Sequence, residues 1–133
     1  MSEFKCMNME DIETPALILD LDVLEDNIRI MADFFKGRNA RLRPHFKTCR
    51  CPNIAHLQLE AGAKGITCAK VGEAEVLVDA GIRDILVANQ VVDPDKIYRL
   101  ACMARGGAKI TVAVDRAENI ESLSAVTRKV GAT

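Results

Sequence analysis

Apolar residues in this chain follow two alternating rhythms. Short runs recur as ALILD from Ala16, ARLRP from Ala40, GITCA from Gly65, DILVAN from Asp84 and KITVAV from Lys109. Several are apolar on both faces, as a parallel strand buried between layers requires. Between the runs, apolar positions fall three and four residues apart, the spacing of one helix face. Leu24, Ile28, Met31 and Phe35 form the first such stripe, and Asp22 with Glu25 resembles a capping box. Pro52 opens a second through Ile54, Leu57 and Ala61, stopped near Gly62. A short helix runs from Gly72 to Ala80, before Gly81. Asp93-Pro94 supplies a cap and a first-turn proline for Ile97, Leu100, Ala101 and Ala104. Ile120, Leu123, Thr127 and Val130 make the last helix, before Gly131.

This is a strand–helix unit repeated five times, which predicts an α/β fold with a parallel sheet. Two arrangements satisfy it. One is the first five units of a (β/α)8 TIM-type barrel, which needs about 250 residues when whole. The alternative is a five-stranded doubly wound domain. The pattern stops at RKVGAT, after a helix and where another strand is due, which favours the barrel series. Residues 1–133 are then the N-terminal part of a barrel. The remaining strands and any later domain lie outside this chain.

Composition narrows the function classes. The chain has 133 residues, 49% hydrophobic and 28% charged, with 18 basic and 19 acidic residues and a net charge of −1. That balance gives no broad basic field for nucleic acid or an anionic membrane. No apolar run approaches the ~20 residues of a membrane span. The opening MSEFKCMNMEDIE has no apolar core of a secretory signal. With five cysteines, an odd count, free thiols in a reducing cytoplasm are expected.

In such sheets, ligands sit at the carboxyl ends of the strands. Those ends hold Asp20, the HFKT segment, Thr67 to Lys70, Asn89-Gln90 and Asp115. The second run leads there with a cluster of cations in RLRPHFKTCRC. If strand geometry persists, Arg41, Arg43, His45 and Lys47 share one face and Leu42, Pro44 and Phe46 the other. Taken alone, Lys47 is either a solvated surface charge or an amine that attacks a carbonyl cofactor or substrate. The second role needs a neutral amine, which neighbouring cations and partial burial favour. Arg43 and His45 are the candidates for that influence.

The blocks ETPALILDLDVLEDNI, RLRPHFKT and AGAKGITCAKVGEAEVLVDAGIRDILVANQVV resemble the N-terminal barrel of D-threonine aldolases and D-serine dehydratases. These are fold-type III enzymes that use pyridoxal 5'-phosphate and are related to alanine racemase. The resemblance runs from about Glu13 to about Pro94. It implies that Lys47, the lysine of RPHxKT, carries the cofactor. It also implies a lyase acting on D-amino acids: an aldolase giving glycine and an aldehyde, or alternatively a dehydratase. A non-catalytic carrier of the cofactor is a further alternative. A divalent metal is implied, with ligands in the C-terminal region of the family and none in this chain. The family often reads KTHK where this chain reads KTCR. The cofactor-binding set expected is Lys47, His45, Arg43, Thr67, Asn89 and Gln90, with Lys47 catalytic. The partners expected are a small D-amino acid and, in full-length form, a second copy in a homodimer.

Other residues have plainer readings. Cys49-Arg50-Cys51 lacks a second Cys/His pair, which leaves a metal site weakly supported. Cys68 reads as a small apolar strand residue. His56 reads as solvated helix surface. EAGAKG precedes a strand, so it is a turn and not a phosphate loop. Thr67, Asn89 and Gln90 are either ligand contacts or ordinary polar strand ends.

Overall fold

The computed structural model describes residues 8–132. After a single 3-10 turn at Met9–Asp11 come α1 (Leu21–Phe35), α2 (Pro52–Glu60), β1 (Ile66–Cys68), α3 (Val71–Asp79), β2 (Asp84–Gln90), α4 (Pro94–Arg105), β3 (Lys109–Ala113) and α5 (Ala117–Val130). The three strands form one parallel sheet in the order β1-β2-β3.

Two of the five predicted strands differ from expectation. The ARLRP segment is extended and lies parallel beside β1, but joins it through a single bridge, His45 to Thr67. The Thr67 amide donates to the Pro44 carbonyl at 2.7 Å, and the Phe46 amide to the Thr67 carbonyl at 2.7 Å. The ALILD segment forms no strand, and Leu17, Ile18 and Leu19 are exposed. An apolar run becomes a strand only where a neighbour satisfies its amides and carbonyls, and no described residue pairs with this one. The direct pairing of ARLRP with β1 rules out the doubly wound order, which places the first strand between the second and third.

Strand alternation sets the core. Ile66, Cys68, Ile85 and Val87 are fully buried against Val71, Ala74 and Leu77 of α3 and Ile97 and Leu100 of α4. In the paired registers Ile66–Ile85–Ile110 and Cys68–Val87–Val112 share this helix-covered face. His45, Thr67, Leu86 and Thr111 occupy the intervening row and point to the other face.

The helices begin and end much as the sequence predicts, with one shift. Asp20, not Asp22, caps α1, accepting from the Val23 amide at 3.0 Å. Asp93 caps α4 through the Lys96 amide at 2.9 Å. Gly62 and Gly81 follow α2 and α3 with φ of 101° and 86°, conformations that glycine adopts without Cβ strain. No described helix is long and apolar enough to cross a membrane.

Candidate active-site rim

The carboxyl ends of the strands gather the residues of interest into three groups. In the first are His45, Thr67 and Lys47. Strand geometry stops at His45, and residues 46–49 form a turn closed by the Arg50 amide donating to the Phe46 carbonyl at 2.8 Å. Arg50 takes the left-handed conformation, φ 48°, at the end of this turn. Alternation therefore does not carry through to Lys47. Its place is set by the turn, which Phe46 anchors by burying its ring in the core. The Lys47 side chain is exposed, and its amide donates to His45 Nδ1 at 3.2 Å. A backbone N–H can only donate, so a neutral His45 carries its proton on Nε2. Thr67 is buried, and its hydroxyl donates to the Arg43 carbonyl at 3.1 Å.

Asn89 and Gln90 form the second group. They line a groove of about 830 Å3 with Phe46, Arg50, Lys70 and Glu73. The Asn89 amide nitrogen donates to the Ala69 carbonyl at 3.5 Å, and its Oδ1 accepts from the Gln90 amide at 3.1 Å. These two residues neighbour the β1 end but do not line the same surface as His45.

Arg43, expected beside the amine, pairs elsewhere among the described residues. Its guanidinium turns to the amino end of the sheet, 2.8 Å from Asp84 Oδ1, and donates to the Asp84 carbonyl at 3.2 Å. Its charge is balanced there, away from the rim, which leaves His45 as the basic neighbour of Lys47. Arg41 is exposed.

Several contributors were missed from sequence. Glu73 Oε2 accepts from the Ala69 amide at 2.8 Å and the Lys70 amide at 3.3 Å, and Arg50 Nε lies 3.9 Å from its Oε1. It thereby ties the turn after β1 to the turn carrying Lys47. The partial signal in sequence was a glutamate three residues into the helix that Val71 opens, without a Ser, Thr, Asp or Asn at the cap position before it. Asn119 is buried and donates to the Val91 carbonyl at 2.7 Å, pinning the loop after Gln90 to α5. Its signal was a polar residue in helical step with Leu123 and Val126. His56 is half-buried, not solvated: its Nε2 lies 2.9 Å from the Ala80 carbonyl oxygen. Cys68 is buried as expected, and burial followed by the nearby Glu73 charge pushes its thiol up to about 11. Cys49, Cys51, Cys68 and Cys102 are free, and Cys6 lies outside the described residues.

The residues present fit one end of a carbonyl cofactor better than the other. The Lys47 side chain is exposed and so open to a carbonyl group, without the partial burial or the Arg43 neighbour expected from sequence. At the start of α3 the Glu73 carboxylate takes the Ala69 and Lys70 amides, and at the start of α4 the Asp93 carboxylate takes the Lys96 amide, so a carboxylate competes with a phosphate at both helix starts. Among the described residues no group of three His, Cys, Asp or Glu side chains is placed to hold a metal.

A parallel sheet with helices on one face and a polar, lysine-bearing carboxyl rim defines an α/β chain of the class that binds ligands at that edge. The chain belongs to the alanine racemase N-terminal domain family, which it matches over residues 19–133. It is 46% identical over 126 residues to 3-hydroxy-D-aspartate aldolase of Paracoccus denitrificans, covering 94% of this chain and 33% of that protein. The crystal structure of D-threonine aldolase from Filomicrobium marinum superposes with a TM-score of 0.90 at 50% identity, covering 94% of this chain and 33% of that one. D-threo-3-hydroxyaspartate dehydratase of Delftia sp. strain HT23 is more distant, 34% identical over 120 residues, covering 90% of this chain and 31% of that protein. The chain spans about a third of the length of the curated relatives it matches.

Proposed function

We propose that this chain is the cofactor-bearing first part of a pyridoxal-phosphate lyase that cleaves β-hydroxy-D-amino acids to glycine and an aldehyde. The observation carrying this is the position of Lys47. It is exposed on the carboxyl rim, directly beyond the paired end of RPH, in a chain similar to two proteins named aldolases. In this reading the sheet is the opening arc of an eight-stranded barrel. The reading also places the protein in the cytoplasm, where its free thiols stay reduced.

Lys47 holds the cofactor, and His45 and Thr67 border it. The bound cofactor supplies an electron sink for the bond broken at Cα. His45, with Nδ1 held by the Lys47 amide, offers an N–H donor from Nε2. The turn at 46–49, anchored by Phe46, orients the amine. Asn89 and Gln90 border the rim from the next strand. In this reading Arg43, paired with Asp84, is not assigned a contact with the cofactor. A divalent metal that binds the substrate hydroxyl would draw its ligands from beyond this chain. A homodimer of the complete protein belongs to the same proposal.

The test uses protein expressed from the complete reading frame. Borohydride reduction after exposure to pyridoxal phosphate should leave a pyridoxyl group on Lys47, located by peptide mapping. Lys47→Ala and Lys47→Arg should both lose the label and the activity, since a guanidinium stays protonated at neutral pH. A label on Lys70, across the rim, or Lys64, with Lys47 unmodified, would overturn the assignment. Product analysis then separates the chemistries. Glycine with an aldehyde marks the aldolase, a keto acid with ammonia the dehydratase, and neither product the carrier.

A further inference from the structure

The cluster that the proposed chemistry leaves unexplained lies at the other end of the sheet. Arg43 and Asp84 keep 19% and 25% of their side-chain surface exposed, unusually little for charged residues. The guanidinium reaches past β1 to the first residue of β2. One nitrogen lies 2.8 Å from Asp84 Oδ1 and another donates to the Asp84 carbonyl at 3.2 Å. Its path crosses Gly65, where a Cβ would overlap both the guanidinium and the Asp84 carbonyl oxygen. Lys109 Nζ, from β3, stands 3.7 Å from Asp84 Oδ2. Thr67 closes the arrangement by donating to the carbonyl of Arg43 itself at 3.1 Å.

These contacts converge on the most weakly paired part of the sheet. Residues 40–45 hold to β1 through one bridge and a few backbone hydrogen bonds, including Lys64 N–H to the Leu42 carbonyl at 2.9 Å. Side chains alternate with a period of two, so a one-residue slip would turn His45 toward the helices and Phe46 out of the core. The guanidinium hydrogen-bonds the Asp84 carbonyl and meets the Asp84 carboxylate by charge, without a hydrogen bond to Oδ1, and its planar fork fixes a register in a way a point charge cannot. We propose that Arg43 is a positioning residue for Lys47, with Asp84 as its anchor and Gly65 as its passage. It locks the RPHFKT segment against β1 and β2 and thereby sets where the amine stands on the rim. This rests on Lys47 being the cofactor lysine.

The experiment follows the rate of borohydride-trapped pyridoxylation at Lys47 in the complete protein, with Lys70 as an internal reference and circular dichroism confirming folding. Arg43→Ala and Asp84→Asn should each slow labelling of Lys47 on the order of tenfold, the scale of a small displacement of a reacting group. Lys70 should label at its wild-type rate, which a general loss of structure would not permit. The double variant should be no slower than the slower single variant, because both remove one link. Arg43→Lys should fall between wild type and Arg43→Ala. Asp84→Asn is nearly isosteric, so it keeps the test open if Arg43→Ala fails to fold. Wild-type labelling of Lys47 in Asp84→Asn would overturn the clamp, and if Arg43→Ala is slow in that case, Arg43 acts on the cofactor directly. Multiplicative slowing in the double variant would overturn it as well. A wild-type protein with Lys47 unlabelled overturns the cofactor reading, and this inference with it.

Discussion

Gly65 and Gly72 sit seven residues apart and face opposite demands. Gly65 is buried under Arg43 with no room for a methyl group, whereas a Cβ on Gly72, in the first turn of α3, meets nothing within 4 Å. Gly65→Ala should therefore cost about 2–3 kcal/mol, as overpacking does. Gly72→Ala should be neutral or stabilising by up to about 1 kcal/mol, through loss of unfolded-state entropy. Urea unfolding of the two variants checks both. Cys68 gives a second contrast. With its thiol buried and pushed up to about 11, it stays protonated at neutral pH. Iodoacetamide should modify it only after unfolding, while the half-buried Cys49, Cys51 and Cys102 react in the native protein. Timed mass spectrometry of the cysteine peptides decides this, and early modification of Cys68 would contradict the buried assignment.

Caps and cross-helix pairs do the work at the level of elements. Asp93 accepts from the Lys96 amide at the start of α4, so Asp93→Ala should cost about 1 kcal/mol in thermal or urea unfolding. Glu75 on α3 receives two hydrogen bonds from Arg99 on α4, and that pairing holds its carboxyl below the usual range. A carboxylate with a lowered folded-state value stabilises the fold above its unfolded value. That contribution is lost as pH falls through the folded value. Stability measured between neutral and acid pH should therefore fall less steeply in Glu75→Gln than in wild type. Both side chains are about a third or more exposed, so the effect should shrink with added salt.

For the whole molecule, the open question is what covers its apolar surface. Leu17 is fully exposed, Ile18, Leu19 and Leu21 are at least half exposed, and α1 buries none of its residues. A groove of about 950 Å3 separates α1 from α2 and residues 40–44. One edge of β3 has no described strand beside it. Unpaired edges and apolar patches of this kind promote association. The 133-residue chain on its own should form oligomers or aggregates as concentration rises, as read by light scattering. A stable monomer at high concentration would show that α1 and the ALILD segment are covered some other way.

Periodicity by itself determined all five helices, because a helix closes its own hydrogen bonds and needs only one apolar stripe and its caps. It determined the three strands of the sheet for a related reason, since DILVAN and KITVAV are apolar enough to be buried by the helices that follow them in sequence. The cations of RLRPHFKT were legible as a cluster, and Lys47 stood out within it through its motif. Only the tertiary structure decided that ALILD would not pair and that ARLRP would pair through one bridge, because a strand's partners are remote in sequence. It also parted residues that sequence had grouped. Arg43 and Lys47 are four positions apart, yet one faces Asp84 at the amino end and the other stands on the carboxyl rim. No local pattern could show this, because the residue that claims Arg43 lies 41 positions further along the chain.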